Sequence, residues 1–281
     1  MDNELVESLA TAQVNELASG LNFPEGPAFA KDGSLWLVEM KGESLVCLKD
    51  GAIKRFRVGG NPNGIAFDKK GHIWFCDSGQ NSIRCFDPLT EKTETKADKV
   101  EGEILNAPND LAFDDHGNLL FSCPGESEEA PTGYVCVLKK NGKVKKVIED
   151  KYYPNGLAFT GDGKFLFLAE THKHRIWKGA WDSNSCEWTD AAVYVETGGP
   201  IGPDGIALDD SENLHIAVFG SSQIKVGGKN GKIERVYQLP GTNPTNFAFD
   251  PSGKLGLVVT EADKGLLLSL PDVKSGGLIF Y

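Results

Sequence analysis

Six residues, Glu25, Asn63, Asn109, Asn155, Asp204 and Thr245, each follow a proline and each precede a short apolar run. The segments read PEGPAF, PNGIAF, PNDLAF, PNGLAF, PDGIAL and PTNFAF, so the six hold one place in a repeated unit. A repeat that brought these side chains to a common point would set two carboxylates, three carboxamides and one hydroxyl face to face. Crowded carboxylates raise each other's pKa unless a cation lies between them, and buried polar groups without partners are costly. An all-oxygen set lacking His and Cys suits Ca2+, Mg2+ or Mn2+ better than Zn2+. The competing reading is that the six only hydrogen-bond neighbouring segments, with asparagine in its common role of turn former.

The elements that would position these residues follow from the spacing. Successive motif prolines lie 38, 46, 46, 49 and 41 residues apart. A period of about 40–50 residues with several short strands per unit is that of a β-propeller. In each unit an apolar run such as GLAF leads through a polar Gly turn, TGDGK, to a second run, FLFLAE. Two further strands follow, as in GYVCVLKK and KVKKVIE joined by Asn141-Gly142, a hairpin signal. The expected fold is all-β, a six-bladed β-propeller with four antiparallel strands per blade, residues 1–281 forming a single domain. The 37 residues after Pro244 are too few for a whole blade. The N-terminal run AQVNELA is therefore predicted to supply the outer strand of the sixth blade and close the ring, which also removes exposed sheet edges.

Composition excludes several classes. The net charge is 29 − 40 = −11 with no dominant basic cluster, so nucleic acid is an unfavourable partner. No apolar run approaches a membrane span. The acidic start, MDNELVESLATAQVNELASG, lacks the basic and apolar regions of a secretory signal, which points to a cytoplasmic protein. Six cysteines without C-x-x-C spacing read as small buried thiols.

The repeats, with Glu25 in FPEGP, Asn109 in PNDLAFD, Asn155 in PNGLAF and Asp204 in PDGIAL, resemble the gluconolactonase, senescence marker protein and luciferin-regenerating enzyme family. Drug-responsive lactonases and diisopropylfluorophosphatases are similar in the same places. The resemblance covers essentially the whole chain. It implies a six-bladed propeller with one divalent cation on its axis, calcium first and Mg2+, Mn2+ or Zn2+ as alternatives. Glu25, Asn109, Asn155 and Asp204 would hold that cation, and Asn63 would support the site through water.

The chemistry implied is hydrolysis of a small-molecule lactone by a monomer or weak homo-oligomer. A cation on the carbonyl oxygen supplies the electrophile, and Asp204 acts as base or nucleophile. The alternatives are a phosphotriester hydrolase and a non-catalytic binding propeller. The second strand of each blade returns to the face where the ring lies, so its end is expected to line the pocket: Glu39 and Met40, Asp77 and Ser78, Ser122 and Cys123, Glu170 and Thr171, Phe219, and Glu261. The loop Cys123 to Gly133, CPGESEEAPTG, is a candidate acidic lid. Ala107 stands where animal gluconolactonases carry an arginine for the sugar, which weakens the case for a polyhydroxylated substrate. Ala207 and Ala248 stand where diisopropylfluorophosphatase binds a second calcium, which weakens the case for a second metal. Of the five histidines, only His172 and His174 follow a mouth strand closely enough to meet substrate.

Overall fold

Each motif proline lies at the start of the innermost segment of a blade in the computed structural model, which describes residues 8–275. The first blade pairs Pro24–Phe29, Leu35–Glu39, Ser44–Lys49 and Ala52–Arg57 in antiparallel order. Five more sheets repeat the plan, with inner strands Pro62–Phe67, Leu111–Phe113, Pro154–Phe159, Gly202–Leu208 and Pro244–Phe249. The molecule is a six-bladed β-propeller, and among the described residues its helical content is one 3-10 turn, Thr171–Lys173.

Closure follows the expectation and adds to it. Asn15–Ala18 pairs antiparallel with Leu266–Leu270 as the outer strand of the sixth blade. Ser8–Ala10 goes further, pairing parallel with Ile233–Gln238 as a fifth strand on the fifth blade. The sequence gives no hint of this second seam, because three residues carry no readable periodicity.

The core lies between blades. Trp36, Val38 and Leu45 of the first blade pack against Ile65, Phe67, Phe75 and Phe86 of the second. The fifth and sixth blades share Ile224, Val226, Phe247, Phe249 and Val259. Several central strands, such as Leu35–Glu39, Leu119–Cys123 and Leu266–Leu270, are buried on both faces, which explains their apolar runs. Each fully buried Leu or Phe contributes about 1.5–3 kcal/mol.

Two devices set the geometry around the axis. The first is a bulge. In five of the six blades the pairing of inner and second strands slips by one residue at or beside the ring position, as between Pro154 and Leu157. A bulge bends the strand and re-aims the side chain it carries. The second is the residue after the ring position, which is Gly26, Gly64, Gly156 and Gly205 in four blades but Asp110 and Asn246 in the opposed third and sixth. A Cβ on Gly64 would lie 2.1 Å from Asp110 Oδ1, and one on Gly205 would lie 2.3 Å from Asn246 Oδ1. The glycines vacate the room those two side chains fill.

Candidate functional site

Pro-Asn-Gly, Pro-Asp-Gly and their variants place the ring residues at one mouth of the channel. Glu25, Asn63, Asn155, Asp204 and Thr245 are buried, and Asn109 is partly exposed. Thr245 is turned into the wall, where its hydroxyl engages the Pro24 carbonyl at 2.9 Å and Thr260 Oγ1 at 2.8 Å. Beneath the ring, Asn246 Nδ2 donates to Asp110 Oδ2 across the axis at 3.3 Å. Below this pair a channel of about 210 Å3 runs towards the opposite face. Alanines 28, 66, 112, 158, 207 and 248 line it, one from each blade.

Three carboxyl groups feel one another here. Burial pushes Glu25 well above the usual carboxylate range, and the charges of Asp204 and Asp110 push it further. Burial and Asp110 raise Asp204, against a hydrogen bond from Asn155. Burial pushes Asp110 up to about 6, opposed by the Leu111 N–H and by Asn246. Among the described residues none of the three forms an ion pair with Lys, Arg or His. Nor do three or more His, Cys, Asp or Glu side chains group there as a ready cation site. A cation would therefore rest on a mixed set that includes carboxamide oxygens.

Asn155 fits that requirement. Its Nδ2 donates to Thr171 Oγ1 at 3.4 Å, and Thr171 Oγ1 donates to the Pro203 carbonyl at 2.7 Å. This turns Asn155 Oδ1 the other way, where it is buried without a hydrogen-bond partner. A buried oxygen left bare beside carboxyls that repel one another is chemically matched to a hard cation.

Eight of the residues expected to line the pocket fall into three groups. Met40 and Phe219 are half-buried at the mouth. Ser122 and Thr171 are buried behind the ring: Ser122 Oγ accepts the Asp110 N–H at 3.2 Å, and Thr171 orients Asn155. Glu39 and Asp77 correct the expectation, because both are committed to the blade corners. Glu39 accepts the Asn22 N–H at 3.0 Å and is forked by Arg55 at 2.7 and 3.1 Å. Asp77 accepts the Asn61 and Gln80 N–H groups at 2.9 and 3.0 Å and pairs with Arg84 at 2.7 Å. Glu170 and Glu261 do the same for Tyr152 and Asn243. The physical reason is local. In these four blades the chain reaches the motif proline through a loop whose N–H groups lack a strand partner, and a carboxylate at the next strand's end satisfies them.

Sequence reasoning missed Asp110, Asn246 and Tyr153. The first two were legible as the places where the repeat substitutes a polar residue for glycine. Tyr153 precedes the fourth motif proline with φ of 55°, an unusual conformation for a bulky side chain. Burial pushes its hydroxyl up to about 12, with Asp204, Glu128 and Glu25 adding to the effect, which places the ring beside the mouth. The His172 ring lies against it, tilted by 59° with ring centroids 5.3 Å apart. The candidate lid is pinned to the same corner, since Tyr153 N–H donates to the buried Ser127 Oγ at 2.9 Å. His215 lies between blades five and six, its Nε2 3.2 Å from Asp209 Oδ2, away from the ring. All six cysteines are free thiols, and five are buried.

A polar ring with three crowded carboxyls thus stands at the mouth of a six-bladed propeller, carried on the blade corners. The chain belongs to the family described as the SMP-30/gluconolactonase/LRE-like region, whose model matches residues 23–263. It is 28% identical to diisopropyl-fluorophosphatase of Loligo vulgaris, covering 93% of this chain and 91% of that one. It is 27% identical to a gluconolactonase of Zymomonas mobilis, covering 86% and 77%. A match to an uncharacterized protein of Sulfolobus acidocaldarius, 26% identical, spans 62% of each chain. Among solved structures, regucalcin of Agrobacterium tumefaciens, described as a calcium-binding protein, superposes with a TM-score of 0.81 at 22% identity over 92% and 93% of the two chains.

Proposed function

We propose that this chain acts as one propeller domain and is a metal-dependent hydrolase that opens lactones. The observation that carries the reading is the buried Asn155 Oδ1 without a partner, set beside Glu25 and Asp204, which burial and the charge of Asp110 push upward. Family membership supports the hydrolase class, and the calcium-binding description of the regucalcin neighbour supports a divalent cation.

Glu25, Asn109, Asn155 and Asp204 would hold the cation, calcium before Mg2+, Mn2+ or Zn2+. When bound, it polarises the ester carbonyl and stabilises the negative charge that develops on its oxygen. Asp204 takes a proton from the water that adds to the carbonyl carbon and returns it to the ring oxygen as that bond breaks. Direct attack by the Asp204 carboxylate on the carbonyl is the variant of the same reading. Thr171 keeps Asn155 aimed at the axis, and Asp110 sits beneath as a neighbouring charge. Met40, Phe219 and Tyr153 give the mouth apolar walls, and Ala107 offers no side-chain donor. A lactone with few hydroxyls suits these walls better than a sugar lactone.

The test is hydrolysis of a lactone panel by protein stripped with a chelator and reloaded with each cation. Reloading should restore turnover, and Asp204→Asn should lower it by about 10²–10⁴-fold while the protein stays folded. Near-normal turnover in that variant would sink the role of Asp204. A folded, metal-free protein inert towards every lactone would favour a non-catalytic binding propeller. The similarity to diisopropyl-fluorophosphatase favours one second reading, phosphotriester hydrolysis, which a fluorophosphate assayed beside the lactones would separate.

A further inference from the structure

Away from the ring, the molecule holds a second cavity with a different chemistry. Inner strands run away from the ring mouth, so the turns joining first to second strands lie on the opposite face. There, between blades two and three, is a cavity of about 560 Å3. Lys69, Lys70, Lys96, Lys139 and Lys140 surround it, and Asp68 is the single carboxylate in its wall. Five lysines converge in a chain whose net charge is −11.

The acids nearby offset two of the five charges at most. Asp68 is engaged within its own turn, accepting the Lys70 and His72 N–H groups at 2.8 and 3.0 Å and the Trp74 Nε1–H at 3.2 Å. Lys96 is paired with Glu94 at 2.6 Å. Among the described residues Lys69, Lys70, Lys139 and Lys140 form no ion pair, and Lys139 lies beside the Cys186 thiol. Four ammonium groups without ion-pair partners leave an excess of positive charge, so the arrangement favours an anion.

The floor is apolar and held in place. Trp74, Phe113, Leu119 and Leu138 form it. Trp74 and Phe113 meet edge to face with ring centroids 6.0 Å apart. The hydrogen bond to Asp68 fixes the indole, and Lys96 Nζ stands 5.9 Å from its ring centre. The volume lies within the range of about 300–1,000 Å3 found for small-molecule sites.

We propose that this cleft binds an organic anion with a flat aromatic body, the body on the Trp74 and Phe113 floor and the charge among the lysines. The site is independent of the ring and of the hydrolase reading. The probe is 1-naphthyl phosphate, titrated calorimetrically into the full-length protein, with 1-naphthol and inorganic phosphate as its two halves. The expected result is saturable one-to-one binding, at least about tenfold tighter than either half and weakened by added salt. The double variant Lys70→Glu/Lys140→Glu, changed at two exposed turn positions, should lose at least tenfold in affinity while lactone turnover is unchanged. A phosphate captured at the ring would not sense these lysines. Absence of binding, undiminished binding in the double variant, or equal affinity for naphthol or inorganic phosphate would each overturn the proposal.

Discussion

Thr171 shows how much one hydroxyl can decide. It accepts from Asn155 Nδ2 and donates to the Pro203 carbonyl, so it holds the carboxamide in the one orientation that leaves Oδ1 bare. Thr171→Val keeps the shape and removes both bonds. Calorimetric titration should show cation affinity falling by about 10–100-fold, the usual cost of losing a residue that orients a ligand. Unchanged affinity would mean that Asn155 is not a ligand or is held by other contacts. Asp110 and Asn246 teach a related point. They reach across the axis because the neighbouring blades present Gly64 and Gly205, so a side chain in one blade depends on the lack of one in another.

At the scale of the element, the blade corner is the recurring unit. A proline starts the inner segment, and in five blades a bulge turns its second residue to the axis. In four blades an acid at the end of the second strand ties down the incoming loop. Asp77→Ala should test the corner of the second blade. It leaves Arg84 and two backbone N–H groups without their carboxylate, so chemical denaturation should report a loss of about 3 kcal/mol. Glu43→Ala, which breaks the exposed pair with Arg57, should cost less than about 1 kcal/mol. The turns at the other end also carry acids. Burial raises Asp209, but hydrogen bonds from His215 and Asn213 outweigh it and bring it to about 2. Burial lowers His215 below its usual 6.5, against the pull of Asp209. The buried ring therefore stays neutral where the unfolded ring takes a proton, and stability falls as pH drops below about 6.5. Asp209 adds stability above about 3.8 that disappears as pH falls towards 2. Denaturation at pH 7 and pH 5 should show a shallower decline in His215→Gln, and an equal decline would refute this account.

For the whole molecule, the ring is closed by the N-terminal segment twice, on the sixth blade by Asn15–Ala18 and on the fifth by Ser8–Ala10. Deleting residues 1–18 would expose the edges of Leu266–Leu270 and Ile233–Gln238 and uncover apolar surface around Leu17 and Val14. Scanning calorimetry should then show a fall in melting temperature of about 10 °C or more, with aggregation. A shift of a few degrees would show that the blades hold without the seam. Blade number, strand plan and the sixth-blade closure were legible in the sequence, because spacing and alternation are local properties that every repeat restates. The identity of the six ring residues was legible for the same reason. Tertiary structure alone decided what each does: Thr245 turns into the wall, Asn155 bares its oxygen, and Glu39 and Asp77 brace corners. Those outcomes depend on which groups from other strands stand within hydrogen-bond reach, and a linear pattern does not carry that. The lysine cleft belongs to the same category, since its five ammonium groups come from two turns and one strand in different blades and meet only when those blades pack.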